Sequence, residues 1–426
     1  MRQFLSVFVL AAFVLVVPVF AGGDTEADDA IELTVLVGHW TVGADDSPFE
    51  AAKRELESRY PGLTVVFDVQ QGGGNVKSKL LNSAAAGESP DVAMVDSNAL
   101  GEMVDAGLLA PIDSYVNDWA DWSDILPNFQ RAGSWDGATY AVFMNTDLRV
   151  FVWNRQLFAA AGLDPDDGPE TWDQVLEIAR AVNDPPRVYG MMVPGGSSEH
   201  LAHRWYSFLW GAGGDIIADG QAAFDRSSGV QAAQFYRDLI ASGVMPLDVL
   251  AASPDDNDRG VASGSYAMGV VGSWFYNYTR EAGIDTVDAF NEAFGVSAIP
   301  SPDGSPSPAG AGGWTVTIPA QSEQQDLAWE FISIAMNREN QRTWAISRAY
   351  VPVRQSLADD TAFTESIPFY PVIEQTLPIA RTRPAIPEYP QVSAAIQTAL
   401  QSIMLGESEV EPALDAAAAQ VNQVLQ

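Results

Sequence analysis

The sequence predicts an α/β fold in two lobes, and three observations carry that expectation. The chain has 426 residues, more than one ordinary core accommodates. Its first third alternates short apolar runs with capped amphipathic segments, the pattern of a mostly parallel sheet covered on both faces by helices. From 139 to 163, the stretch TYAVFMNTDLRVFVWNRQLFAAAGL sets two apolar runs around a polar break at Asn145, Thr146 and Asp147. That break suits a strand leaving one sheet, a hinge, and a strand entering another.

The elements follow in order. Residues 1–21 carry Arg2, an apolar run from Phe4 to Phe20, and small residues at Val19 and Ala21, the pattern of a secretory signal peptide. The run falls short of the roughly 20 apolar residues that a membrane span needs. Residues 22–30, GGDTEADDA, are small and acidic and read as a disordered leader. IELTVLV from Ile31 to Val37 is the first strand. Ser47 and Glu50 form a capping box around Pro48, and Phe49, Ala52, Leu56 and Tyr60 share one helical face. Pro61 and Gly62 end that helix before the strand Leu63–Val69. A loop and helix then lead to a third strand, Asp91–Val95, with a polar end at Asp96, Ser97 and Asn98. In such sheets ligands sit beyond the carboxyl ends of the strands, here the loops 38–48, 70–75 and 96–98.

Beyond the 139–163 stretch, Thr171 and Gln174 cap a helix with Trp172, Val175, Ala179 and Val182 on one face. Residues 210–246 read as loop, hairpin and helix, and Tyr266–Phe275 as a strand ending in Gly272, Ser273 and Trp274. Residues 300–313, PSPDGSPSPAGAGG, read as a Pro/Gly/Ser connector without hydrophobic periodicity. A strand then opens at Trp314, and Ser322 and Gln325 cap a helix running to about Asn337. From Val351 the chain is mostly helical, with apolar stripes at Ile396, Ala399, Leu400, Ile403 and Met404 and at Leu414, Ala417, Val421 and Leu425.

Composition narrows the function. Fifty-six acidic residues against 22 Lys+Arg give a formal charge of −34, which repels phosphate backbones and anionic lipid and argues against nucleic-acid or membrane-surface partners. The three lysines are Lys53, Lys77 and Lys79. Without cysteine there is no thiol nucleophile, zinc-thiolate site or disulfide. No GxSxG, GxxxxGK or GxGxxG motif occurs, and His39, His200 and His203 lack zinc-protease spacing and read as surface or satisfied side chains. No catalytic, metal or cofactor residue is therefore assigned. Twelve tryptophans remain. Trp119, Trp122, Trp172, Trp329 and Trp344, on helical stretches, read as core. Trp40, Trp274 and Trp314 stand at strand ends beside glycine or polar residues, where an indole can stack on the C–H face of a sugar while polar groups take its hydroxyls. Glycines 72–74 and 310–313 read as loop positions that allow close backbone approach or positive φ.

The order of SPDV with DSNALGEMVDAGLLAPID, the 139–163 stretch, GAGGDII, AAFDRSSGVQAAQFYRDLIASGVMP, GSW, GGWTVTI, YVPVR and RPAIPEYPQVSAAIQTAL resembles the extracellular solute-binding proteins of sugar-importing ABC transporters, the maltose-binding-protein-like family. The resemblance implies a two-lobe, type II periplasmic-binding-protein fold, each lobe a mostly parallel sheet flanked by helices, joined by a hinge. Its first lobe would be 31–143 with 314–349, and its second 144–313 with 350–426. It implies ligand contacts at Asp96, Asp147, Trp274, Gly313, Trp314 and Arg383; Trp40 and Asn98 join them by loop position. The expected partners are a sugar or oligosaccharide and the membrane permease subunits, with the receptor itself a monomer in the periplasm. Gly22 and Gly23 occupy the place where many relatives carry a lipidated cysteine. The alternatives are a non-sugar solute such as a polyol phosphate, compatible solute or peptide, a secreted carbohydrate-active enzyme, and an adhesin. A phosphate ligand would want several basic residues at the cleft, and these loops supply few.

Overall fold

The computed structural model describes residues 31–426; the expected signal peptide and leader lie outside the described residues. In chain order the strands are β1 (Ile31–Gly38), β2 (Leu63–Gln70), β3 (Val92–Asp96), the hairpin pair β4 (Ser134–Trp135) and β5 (Ala138–Thr139), β6 (Ala141–Phe143), β7 (Asp147–Asn154), a second hairpin pair β8 (Ile217–Ala218) and β9 (Gln221–Ala222), β10 (Met268–Gly272), β11 (Phe294–Ser297), β12 (Gly310–Gly312), β13 (Trp314–Thr317) and β14 (Arg381–Thr382). Among the described residues no helix is long and apolar enough to cross a membrane.

The first sheet runs β2-β1-β3-β13-β6. β1 pairs with β2 and β3 in parallel, as the strand–helix alternation predicts, and β13 enters antiparallel between β3 and β6. The flanking helices bring in the apolar faces read from the sequence: Phe49, Ala52 and Leu56 of the Pro48–Arg59 helix are fully buried, and Phe49 stacks on Phe331. Ser47 Oγ accepts from Phe49 N and Glu50 N, but the Glu50 carboxylate accepts from Gly43 N, so the expected box is half made. At Thr171 and Gln174 it is complete.

The second sheet departs from the expected mostly parallel arrangement. β7 lies at its centre, with β10 on one side and β11 and β12 on the other, all antiparallel to it. Parallel pairing is confined to β12 with β14 and to bridges from Tyr189 and Met192 to the β10 side. The direction of β7 is set by its entry from the first sheet, and later strands add to it from whichever end their connections deliver them, which alternation along the chain does not reveal. β7 is buried on both faces: Phe151 and Trp153 enter one apolar cluster, and Leu148, Val150 and Val152 the other, the period-2 consequence of a fully covered strand.

Two further expectations change. Residues 310–312 of the supposed connector are β12, held between β7 and β14. The sequence hides this strand because glycine and alanine carry no β-branched signal. Ser322 does not cap the next helix, which begins at Gln325; its hydroxyl donates to Asp91 Oδ1, and its oxygen accepts from Gln324 N.

The chain crosses between the sheets at 144–146, at Gly313 and at 349–351. Thr146 ties the three together: its N–H donates to Val351 O at 2.9 Å and its hydroxyl to Gly312 O at 2.9 Å. Met144 N donates to Trp314 O, and Ser97 N to Gly313 O. Gly313 has φ +154°, and a Cβ there would lie 2.1 Å from Asn145 O. The close approach that its glycine permits is therefore to backbone.

Past the third crossing, Val353 and Arg354 pack on residues 121–129. Leu126 N donates to Val353 O. The fully buried Arg354 donates to Gln341 Oε1, Asp124 Oδ2 and Asp121 Oδ2, each at 3.0 Å. Arg354→Met should cost about 3 kcal/mol, the low end for stranding the partners of a buried charge, because the Asp121 and Asp124 side chains keep 33% and 23% exposure. The shift of the urea midpoint at unchanged m-value measures it.

Candidate functional site

One wall of the site comes from the first sheet. β1 ends at Gly38, and the chain turns so that the Trp40 ring folds back over that glycine, where a Cβ would lie 2.3 Å from it. At the start of β13, Trp314 lies in the same way over Gly73, with 2.6 Å to a built Cβ. The two rings meet at 5.1 Å, tilted by 55°. The close approach foreseen for the 72–74 glycines is thus made by an indole. Trp314 is the ladder partner of Asp96. The Asp96 carboxylate accepts from Asn98 N at 3.2 Å and from Arg383 Nη2 at 2.9 Å. Asn98 therefore takes part through its backbone.

The other wall comes from the second sheet. Asp147 and Arg149, alternate residues of β7, share one face; both are buried, and Arg149 Nη1 donates to Asp147 Oδ1. Gly272 pairs with Arg149 across the ladder, so the side-chain space that glycine leaves open lies beside the Arg149 side chain. Trp274 folds back into it: a Cβ at Gly272 would be 2.4 Å from the indole, and the Arg149 guanidinium stands 4.7 Å from a Trp274 ring centroid. Trp274 Nε1 donates to Asp258 Oδ2 at 3.1 Å. Arg204 Nη2 donates to both Asp258 oxygens, at 2.7 and 3.0 Å.

Arg383 joins the walls. It follows β14, is buried, and passes through the space left by Gly312, where a Cβ would lie 2.5 Å from Nη2. It donates to Asp96 from the first sheet and to Glu199 at 3.2 Å in the second lobe. Glu199 also accepts from Tyr389 OH and, at 2.6 Å, from Ser393 Oγ. Trp40, Asp96, Asn98, Asp147, Trp274, Gly313, Trp314 and Arg383 are therefore gathered at one junction between the sheets. Two surface grooves of about 600 and 660 Å³ lie elsewhere and contain none of them.

Sequence reasoning missed Arg149, Glu199, His200, His203, Arg204 and Asp258. Of the histidines read as surface or satisfied, His203 is of the satisfied kind, 1% exposed with Nδ1 against Arg149, while His200 is half-buried and lies edge-on to Trp274 at 6.0 Å. The signal was present in EHLAHRWYSFLWG, residues 199–211, whose helix is buried along most of its length. A helix that is apolar all round is buried, so its few titratable residues require partners inside the protein.

Basic residues nevertheless reach this junction from outside those loops: Arg149 of β7, Arg204 of the Glu199–Gly211 helix and Arg383 after β14 converge here. Asp96, Asp147, Glu199 and Asp258 face them, so three arginines against four carboxylates leave no surplus positive charge for a phosphate. Arg149 Nη2 lies 2.9 Å from His203 Nδ1. Because a guanidinium only donates, that nitrogen is the acceptor of a neutral imidazole. Burial, with Arg149 and Arg383 nearby, holds the His203 pKa well below its ordinary value. Burial pushes the Asp96 carboxyl up, against the pull of Arg383.

A family model described as bacterial extracellular solute-binding protein matches residues 40–342. The chain is similar to the diacetylchitobiose binding protein DasA of Streptomyces coelicolor, at 24% identity over 92% of this chain and 89% of that one. Its structure resembles an ABC transporter solute binding protein of Thermotoga lettingae bound with α-D-tagatose, with a TM-score of 0.84, 28% identity, and 93% and 100% of the two chains covered. It also resembles one of Agrobacterium radiobacter in complex with ribitol, with a TM-score of 0.80, 23% identity, and 93% and 99% covered.

Two outcomes follow from this geometry. Gly73→Ala meets no backbone strain but overlaps the Trp314 ring; it should change the near-UV circular dichroism of the Trp40–Trp314 pair and cost about 1–3 kcal/mol. For His203 the native state refuses a proton that the unfolded chain accepts, so stability is full above about pH 6.5 and is lost as pH falls below it, by up to about 1.4 kcal/mol per pH unit. Asp96 has the opposite sign, its native state keeping a proton as pH rises past the ordinary aspartate value of 3.8. Urea midpoints at pH 7.5, 6.5 and 5.5 measure the histidine slope, and His203→Gln should reduce it, leaving the share of His200, whose pKa burial and Arg204 also hold well below its ordinary value.

Proposed function

The chain belongs to the bacterial extracellular solute-binding proteins, and we propose that it is the receptor of an ABC importer that closes its two lobes on a small sugar or polyol and hands it to the membrane permease. The observation that carries this reading is the junction itself: Arg383 from one lobe reaches Asp96 in the other, between Trp40 and Trp314 on one side and Trp274 on the other. Indoles supply apolar contact for ring C–H groups, and paired carboxylates and guanidinium groups supply directional hydrogen bonds to hydroxyls. The balance of charge favours a neutral ligand. The structure bound with α-D-tagatose and the relative named for diacetylchitobiose support the sugar class.

In this reading 31–143 with 314–349 forms the first lobe and 144–313 with 350–426 the second, with 353–356 lying against the first. The crossings at 144–146, Gly313 and 349–351 are the hinge. Asp147 begins β7 directly past the first crossing, so a ligand that hydrogen-bonds to it engages the moving lobe. The protein binds and releases without chemistry, outside the cytoplasm and as a monomer.

A thermal-shift screen of D-tagatose, ribitol, maltose and diacetylchitobiose tests the reading. Ligand at a hundredfold excess over its Kd adds about 2.7 kcal/mol to stability, visible as a shift of several degrees. Trp314→Ala should abolish the shift for the best binder, and Asp147→Ala should weaken that binding by tenfold or more. Flat curves for all four compounds, or turnover of a glycoside, would overturn the assignment.

A further inference from the structure

Trp274 differs from the other two tryptophans of the junction. Trp40 and Trp314 rest on glycines and on each other, and Trp40 Nε1 has no hydrogen-bond partner among the described residues. Trp274 is held by a hydrogen bond at its nitrogen, by a guanidinium against its ring and by His200 at an edge. The acceptor is Asp258, 1% exposed, from the Pro254–Ala262 helix. Asp258 is in turn gripped through both oxygens by Arg204, which is fully buried on the Glu199–Gly211 helix.

An ion pair this deep is a poor source of stability, because the desolvation of two charges offsets their attraction and an apolar pair of similar volume does as well. A buried pair does fix direction: with both Asp258 oxygens bound by Arg204 Nη2, the carboxylate cannot turn freely, and its Oδ2 stands 3.1 Å from the indole nitrogen as the acceptor of that N–H. Gly272 leaves the space into which the ring folds, but a glycine floor alone allows the ring to slide and turn.

We propose that Asp258, oriented by Arg204, is a positioning residue that sets the angle of the Trp274 indole at the cleft wall and thereby sets affinity for the sugar. Neither Asp258 nor Arg204 contacts the ligand; both act through Trp274. The proposal rests on the sugar-receptor reading for its functional consequence, while the brace itself is observable without any sugar.

The experiment replaces the pair together, Arg204→Met with Asp258→Leu, so that no lone charge is stranded, in the natural chain and in a Trp274→Phe background. The first readout is the indole ¹H–¹⁵N resonance of Trp274 in sugar-free protein, identified by its loss in Trp274→Phe. It should move in the pair variant while the remaining indole signals stay in place. The second is calorimetric titration with D-tagatose, ribitol, maltose and diacetylchitobiose. Any of these that binds the natural chain should bind the pair variant at least tenfold more weakly, and in the Trp274→Phe background the same replacement should change affinity less than twofold, since non-additivity marks residues that act through one another. Should the pair variant not fold, Asp258→Asn keeps the volume and is read in the same way, with a smaller displacement of the same signal expected. An unmoved Trp274 signal overturns the proposal, and so does an equal loss of affinity in both backgrounds. Four flat titrations of the natural chain together with a moved indole signal would refute the sugar reading and leave the brace supported.

Discussion

Three chain segments pass between the two sheets side by side, and the backbone bonds that hold them there fix the rest of the site. Thr146 donates to Val351 O with its N–H and to Gly312 O with its hydroxyl, and Gly313 takes a conformation open only to glycine against Asn145 O. Buried backbone groups must be paired, so these crossings have little freedom to shift relative to one another. Asp147 follows the first crossing directly, and Trp314 the second. Asp96 is brought alongside by the β3–β13 ladder. In the proposed reading these crossings are the hinge, and rotation of one lobe about them is what would bring the two walls together on a ligand.

Around these crossings the protein buries several charged side chains. Arg149, Arg204 and Arg383 are each at least nine-tenths buried, and each faces a carboxylate. An unpaired charge there would cost several kcal/mol, so pairing is a condition of folding before it serves any function. The histidines meet the same condition by giving up their proton. His203 stays neutral because the low-polarity surroundings and two guanidinium groups disfavour imidazolium. The result is a rigid polar scaffold behind the tryptophans, with little net charge toward the cleft.

Glycine has a particular part in that scaffold. Gly38, Gly73 and Gly272 each lie under an indole that a Cβ would overlap, and Gly310 and Gly312 make room for His203 and Arg383. Read as sequence, Gly73, Gly310 and Gly312 marked loop positions allowing close backbone approach, and Gly38 and Gly272 only the ends of strands. In the fold they are floors on which large side chains lie flat, and their neighbours across space, not along the chain, explain them.

The sequence by itself determined the elements whose cause is local. The first sheet's strands, the Pro48–Arg59 helix, the Thr171 cap and the polar break before β7 were legible because apolar period, capping hydroxyls and glycine or proline punctuation act within a few residues. The family resemblance added the tryptophans, aspartates and arginine now found at one junction. Tertiary structure alone decided the antiparallel order around β7, the strand hidden at 310–312, the use of Ser322 Oγ on Asp91, and the arginine–carboxylate pairs that join residues 54 to 287 positions apart in sequence. The physical reason is the same in each case. Direction of strand entry and neutralisation of a buried charge depend on what lies opposite in space, and the residues that lie opposite come from remote parts of the chain.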